Sequence, residues 1–369
     1  MKYVLDLSSL DIHASGAKQR FLTLYSELIK NSKKKNFLII YTSFKDVKKY
    51  FNYPNVSFKQ NNFYQDNYLK KIISILNIYF FIFFNPKKIK SIEYFTLPFI
   101  GISNCKIIFT IHDLRRIYFS VFFVKKIAYK IFFKFFLNRA DKIIVVSKAI
   151  KNEILKYFNN LKVKVIYNTI DLSSFKKISL KDIKIIKKKY NLPRKFILTV
   201  GHQEKRKNYL RLIKAIKILK KNEKNIFLVI IGQKADETKN IYNLIKSLNL
   251  NSNIKIFSNL NNFEVRCFYK LANLFVFPSI YEGFGIPILE SMAANTPMTL
   301  SNTEVFREIT LNQGVYFDPF DPLSIATKIN YVMSEKAIKK KLINFGKKRV
   351  KLFTLSSQKK NLIDLYKSI

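Results

Sequence analysis

Two successive doubly wound, Rossmann-like α/β domains facing across a cleft are the architecture this sequence predicts. Short β-type runs alternate with amphipathic helical stretches, the signature of parallel sheets with crossover helices. The alternation pauses after Asn168 in a polar, lysine-rich connection and restarts after about Pro193. At 369 residues the chain also exceeds what one ordinary hydrophobic core organises, so two domains are expected.

In the first half, strands are expected at Tyr3 to Leu7, Phe37 to Tyr41, Lys106 to Thr110, Lys142 to Val146 and Lys162 to Tyr167. Helices are expected at Ala17 to Lys30 and Lys148 to Phe158. The second half repeats the pattern, with strands at Phe196 to Val200, Phe227 to Ile231, Ile254 to Phe257, Leu274 to Phe277, Met298 to Ser301 and Val315 to Phe317. Its helices fall at Asn208 to Lys221, Asn240 to Leu248, Asn262 to Leu271 and Ile286 to Ala294. The domains therefore span 1–175 and 176–355, and a last helical stretch within 356–369 is placed to cross back to the first. Ligands in such sheets bind at the carboxyl ends of the strands, where the loops carry the chemistry.

Hydrophobic content of 48% supports globular folding, but Lys plus Arg is 67 against 24 for Asp plus Glu, a formal net charge of +43. Nucleic acid is the first partner such charge suggests. The bases are spread along the whole chain and form no recognition module, so no specific nucleic acid is expected. Lysine dominates arginine, Trp is absent, and Ile, Asn, Phe and Tyr abound. That is the imprint of an A/T coding bias, which accounts for part of the charge. The rest fits an anionic membrane surface, where each nearby Lys or Arg contributes about 1 kcal/mol.

Two segments suit that surface. Ile72 to Phe84 is a 13-residue apolar run between lysine pairs, and Ile117 to Arg139 mixes Phe and Tyr with Lys125, Lys126, Lys130 and Lys134. Neither reaches the roughly 20 apolar residues of a span, whereas both can lie in the interface. The alternative is a pair of core-facing helices with a solvated basic side. The start M-K-Y-V-L-D-L-S reads as a strand, not a signal peptide, so a cytoplasmic protein, peripheral on the inner face of the membrane, is expected. Cys105 and Cys267 sit in different halves and read as reduced structural thiols.

The most specific stretch is Y-E-G-F-G-I-P-I-L-E-S-M-A-A-N-T-P-M, residues 281–298. Pro287 stands where a first-turn proline belongs, so a helix starts near Ile286. Its free N–H groups and positive end make a site for a phosphate or diphosphate. Glu282 precedes the helix and Glu290 lies within its first turns, eight positions on, a layout suited to gripping sugar hydroxyls on both sides of a diphosphate. V-G-H-Q-E-K-R-K-N, residues 200–208, follows the first strand of the second half and places Gly201 at a tight turn, with Arg206 and Lys207 before the next helix.

With these motifs the chain resembles the retaining glycosyltransferases of family 4 (group 1 glycosyl transferases), which have the GT-B fold. F-T-I-H-D-L (109–114), A-D-K-I-I-V-V-S (140–147) and V-I-Y-N-T-I-D (165–171) appear in that family's order. The resemblance covers nearly the full length. It implies transfer of a hexose or deoxyhexose, a mannose-like donor favoured, from a nucleoside diphosphate sugar to a growing glycan or lipid-linked glycan. It implies that Glu290 binds the donor ribose, Glu282 holds hydroxyls of the transferred sugar, and Lys207 with Arg206 neutralises the leaving diphosphate. Backbone N–H groups of Phe284, Gly285 and Ile286 would contact phosphate and sugar. His112 would bind a sugar hydroxyl, with Asp113 ordering its loop, while Gly16, after His13 and Ser15, lies in the loop whose amides reach toward diphosphate or acceptor. His202 would contact phosphate. The family implies no obligatory metal, in keeping with the lack of an Asp-x-Asp motif, and no cofactor is expected. The three histidines lack the spacing that seeds a zinc site.

Two departures bear on the backbone. Asn295 and Thr169 stand where the family usually has Gly, and each position is expected to need positive φ, which Asn tolerates far better than Thr. Asn168, Asp171, Ser147 and Glu308 read as structural. A charge-driven nucleic-acid-binding protein and a sugar-nucleotide epimerase of the same architecture are the competing readings; neither accounts as well for Glu282 and Glu290 around one helix start.

Overall fold

The computed structural model describes the chain except residues 8–17, 19, 33, 42–46, 61–72, 74–75, 78–79, 82–83, 85–87, 96–104, 120–122, 159–161 and 223–224. The chain divides into two compact units, Met1–Thr169 with Leu355–Ile369, and Ile170–Thr354. At the start of the second unit Ile170 pairs with Thr354 in an isolated parallel bridge, and its N–H donates to the Phe353 carbonyl at 2.9 Å.

The first unit holds a seven-stranded sheet in the order β3-β2-β1-β4-β5-β6-β7, every pairing parallel. Its strands are β1 (Lys2–Asp6), β2 (Asn36–Tyr41), β3 (Val56–Gln60), β4 (Ile89–Tyr94), β5 (Lys106–Ile111), β6 (Lys142–Val145) and β7 (Val163–Val165). Its longer helices are α1 (Phe123–Asn138) and α2 (Lys148–Tyr157), the latter capped by Ser147, whose hydroxyl accepts from the Ile150 N–H at 3.1 Å. The C-terminal helix, here α10 (Leu355–Lys367), belongs to this unit and lays Leu362, Leu365 and Tyr366 into its core beside Leu5, Phe21 and Phe37.

β3 and β4 are absent from the sequence expectation. β4 reads I-K-S-I-E-Y, and the charge at Glu93 interrupts its apolar run. Yet Glu93 is fully buried. Its carboxylate accepts from the hydroxyls of Tyr25 and Tyr366 and from Thr110 Oγ1. Buried polar groups persist where their hydrogen bonds are supplied inside, and here three hydroxyls supply them.

The second unit holds a six-stranded parallel sheet, β10-β9-β8-β11-β12-β13. Its strands are β8 (Ile197–Val200), β9 (Leu228–Ile231), β10 (Ile254–Phe257), β11 (Leu274–Phe277), β12 (Met298–Ser301) and β13 (Val315–Phe317). Its longer helices are α3 (Leu180–Lys189), α4 (Tyr209–Asn222), α5 (Thr238–Ser247), α6 (Asn262–Leu271), α7 (Ile286–Ala294), α8 (Pro322–Ser334) and α9 (Lys336–Arg349). α3 occupies much of the stretch expected to be a connection. A capping box between Ser179 and Asp182 starts it. In both sheets the strand order reverses beside the first strand, between β1 and β4 and between β8 and β11. That reversal is the topological switch point of a doubly wound sheet, where its crevice opens.

The two departures separate here. Asn295 ends α7 at φ 60°, in the left-handed region. Thr169 has no positive φ; it is buried, and its hydroxyl pairs with that of Thr23 at 2.9 Å. The expectation of positive φ there is corrected, because a hydroxyl bond rather than a left-handed turn fixes that residue.

Candidate active site

The 200–208 and 281–298 stretches meet because β8 and β11 are neighbours, with Ile197 opposite Leu274 and Leu198 opposite Phe275. The loops leaving their carboxyl ends run side by side across the switch point. Close backbone approach shapes this end of the sheet. A Cβ on Gly232 would sit 1.7 Å from the Gly201 carbonyl oxygen, so only glycine lets β9 exit beneath that turn.

Lys205–Lys207 form one 3-10 turn, closed by Asn208 in the left-handed region at φ 59° before α4 begins. The Asn208 amide donates to the carbonyls of Pro278 at 3.1 Å and Pro319 at 2.6 Å, while its oxygen accepts from Arg211 Nη1 at 3.0 Å. The Ile280 N–H donates to the Arg206 carbonyl at 2.9 Å. These bonds clamp one loop to the other and fix where the two cations emerge.

Both cations converge on one carboxylate. Lys207 Nζ lies 2.5 Å and Arg206 Nη1 2.8 Å from Glu282 Oε1, and Arg206 Nε lies 2.6 Å from Glu204 Oε2. Burial pushes the Glu282 carboxyl up, but the Lys207 ammonium and Arg206 guanidinium outweigh it and hold the group down at about 2. Burial pulls the Lys207 ammonium down, with Glu282 opposing. Its Nζ stands 5.0 Å from the centre of the Phe277 ring. The result is a nearly buried cluster of two positive charges and one negative, with Glu204 at its rim.

α7 starts beside it. Gly285 at its N-terminus has φ 103°, a conformation that favours glycine, and Pro287 occupies the first turn with no side-chain cap. Four residues in, half-buried Glu290 has its carboxyl raised by burial, offset in part by Tyr269 and Arg266. The two carboxylates of the motif are thus pushed in opposite directions by their surroundings, the pattern that lets like groups take different roles. Phe284 is buried and packs edge-on against Phe353, with ring centres 5.8 Å apart.

Gly201, Arg206, Lys207, Glu282, Phe284 and Gly285 therefore belong to the loops after β8 and β11 of the second unit, and Ile286 and Glu290 to α7, which the second loop starts, joined by half-buried His202. His112 belongs to the first unit, directly after β5, where Asp113 accepts the Arg115 N–H at 3.0 Å and orders the turn. Burial, then the charges of Arg20 and Arg115, hold the His112 imidazole down at about 3, so it is neutral. Gly16 and His13 lie outside the described residues. The sequence reading passed over Asn208 and Glu204, which position the cations; an Asn directly before a helix start was the available signal. It also passed over Arg20 and Glu93, for which the only signal was a charge inside an otherwise apolar stretch.

Comparison with known proteins matches residues 181–349 to the family described as glycosyl transferases group 1 and residues 89–174 to glycosyltransferase family 4. An O-antigen chain mannosyltransferase of Salmonella typhimurium is 29% identical over 251 residues, covering 68% of this chain and 66% of the relative. An uncharacterized glycosyltransferase of Methanocaldococcus jannaschii is 33% identical over 241 residues, covering 61% and 60%. The matches thus span two-thirds or less of these relatives. Among solved structures, an Anabaena protein in complex with UDP-glucose superposes with a TM-score of 0.81 over all of both chains at 16% identity, a likeness of fold.

Proposed function

Because the chain belongs to the group 1 glycosyl transferases of family 4 and has the GT-B fold, we propose that it is a retaining, metal-independent hexosyltransferase of surface-glycan synthesis. In this reading a hexose or deoxyhexose, with mannose favoured, leaves a nucleoside diphosphate for a hydroxyl of a growing lipid-linked glycan. The first unit takes the acceptor and the second the donor. The observation that carries the reading is the cation pair of Arg206 and Lys207 gathered with Glu282 at the start of α7.

As the anomeric bond breaks, its electron pair goes to the diphosphate, and negative charge grows where Lys207, Arg206 and the first N–H groups of α7 stand. Charge fixed in advance at such a place is usually the largest catalytic contribution. Glu282, ionised by the same cations, would hold hydroxyls of the transferred sugar, and Glu290 the ribose. His112, neutral, would hydrogen-bond the sugar. The mannose preference is supported by the activity named for the Salmonella relative.

The membrane role rests on α1. Its exposed side carries Ile127, Ile131 and Phe135, four residues apart, together with Lys134 and, just past its end, Arg139, while Phe133, Phe136 and Leu137 are buried. A helix that packs apolar residues inward and still exposes an apolar stripe fits an interfacial position, which favours the interface over a merely solvated basic face. The Ile72 to Phe84 segment lies largely outside the described residues. No helix among the described residues is long and apolar enough to cross a membrane.

Thermal stabilisation by UDP, GDP, dTDP, CDP and ADP, with and without attached sugars and at high salt, tests the donor site. A ligand well above its Kd stabilises by a few kcal/mol, and a single responding base names the donor class. Indifference to all of them refutes the reading. Flotation with anionic liposomes tests the membrane role. Replacing Lys125, Lys126, Lys130 and Lys134 with Gln should weaken flotation more than four lysine replacements elsewhere.

A further inference from the structure

Arg20 of the first unit is a buried cation with donors left over. It is fully enclosed and directly precedes the π-helical turn Phe21–Tyr25. π-helical turns are rare and concentrate at functional sites. Its Nη1 donates to the Ile166 carbonyl just past β7 at 2.7 Å and to Asn168 Oδ1 at 3.0 Å. Its Nε and Nη2 have no hydrogen-bond partner among the described residues. Those two N–H groups are the parallel, side-on pair of the guanidinium, the pair that grips two oxygens of one oxyanion.

Among the described residues no anion fills this fork. Glu93 is near enough for its charge to bear on Arg20, yet its oxygens accept from Tyr25, Thr110 and Tyr366. A second unmet group lies close by. His112 Nε2 is buried and has no partner among the described residues. Leaving a buried guanidinium half-satisfied is costly, and retaining it is understandable where a ligand completes it. Ile166, Asn168 and His112 all follow the carboxyl ends of β5 and β7, the ligand end of a doubly wound sheet.

We propose that the side-on fork of Arg20 binds a phosphoryl group in the first unit, with His112 Nε2 beside it left for a hydroxyl of the group attached to that phosphoryl. The choice of phosphoryl over carboxylate rests on the proposed function. That reading supplies two carriers of the same chemistry, the diphosphate of the sugar donor and the diphosphate of a lipid-linked acceptor. Lysine at this position would keep the charge but lose the fork.

The test uses the full chain labelled with [15N]arginine, at salt that screens the surface lysines. Inorganic pyrophosphate is added while the Nε–H resonance of Arg20 is followed, recognised by slow solvent exchange and by its absence from Arg20→Lys. The same titration in Lys207→Met removes the main cation of the second unit. A shift in both proteins, and pyrophosphate binding about tenfold or more weaker in Arg20→Lys, supports the proposal. GDP or UDP and farnesyl diphosphate then separate the sources: the ligand that loses affinity in Arg20→Lys is the one the fork holds. No Nε–H shift with any of these ligands overturns it, as does a folded Arg20→Lys of unchanged affinity, which makes Arg20 a core cation only. Should that variant not fold, the shift in the unaltered chain decides. Sugar transfer without a shift refutes this site alone, whereas a shift without transfer refutes the enzymatic reading alone.

Discussion

The two sheets share one strand order over six strands, the first sheet adding β7 at its edge, but treat charge at their carboxyl ends in opposite ways. In the second unit, cations and carboxylate are paired at the switch point, where Lys207 and Arg206 share Glu282. In the first, Arg20 and Glu93 are both fully buried without pairing directly, one held by a carbonyl and an amide, the other by three hydroxyls. Pairing holds Glu282 ionised, whereas burial raises the Glu93 carboxyl, only partly opposed by its three hydroxyl partners and the nearby Arg20 charge. The same fold thus pairs its buried charges in one unit and surrounds them with neutral hydrogen-bond partners in the other.

Removing the shared cation gives the largest expected effect. Lys207→Ala should lower kcat for sugar transfer by about 100- to 1000-fold, measured by label incorporation into acceptor, with Arg206 still holding Glu282. A loss below about tenfold would mean that the paired cluster is structural, like the hydroxyl-bound Glu93 of the first unit.

Next comes the backbone that sets the cluster. Gly232→Ala forces a methyl into the Gly201 carbonyl and should destabilise the second unit by roughly 1–3 kcal/mol or more, seen as a lowered unfolding midpoint. An unchanged midpoint would show that the β8 exit is pliable.

The pH response sharpens the contrast. Glu282 is depressed, so its contribution is complete above its unfolded value of 4.5 and is lost as pH falls through about 2. Glu282→Gln should flatten the stability of the second unit between those limits, a change of order 1–3 kcal/mol. Glu93 is raised, so ionising it opposes folding and the first unit should weaken as pH rises through its folded value. Glu93→Gln should remove that slope, read from hydrogen exchange of β4 and β5 amides. Parallel slopes in the two units would contradict the contrast.

The smallest effect concerns the two residues at the family's glycine positions. Asn295→Gly should stay within about 0.5 kcal/mol, because φ is already positive. Thr169→Gly should cost about 1–2 kcal/mol through the lost hydroxyl bond and added chain entropy. Equal costs in thermal unfolding would erase the distinction.

Most of this protein is local enough to read from its residues. Strand and helix periodicity marked all six strands of the second unit, and Pro287 with two glycines announced the start of α7. β4 escaped because its buried Glu93 resembles a surface charge until Tyr25, Thr110 and Tyr366, from three distant segments, are seen to satisfy it. The Arg20 fork escaped for the same reason. What the sequence alone determined is the alternating α/β pattern and the two loops bearing Lys207 and Glu282, because period and turn chemistry act over a few residues. Only the tertiary structure decided that β8 lies beside β11, bringing Lys207 within 2.5 Å of Glu282, and which buried charges are paired. Pairing across 75 residues is a property of strand order and desolvation, and neither is written in any one stretch of the chain.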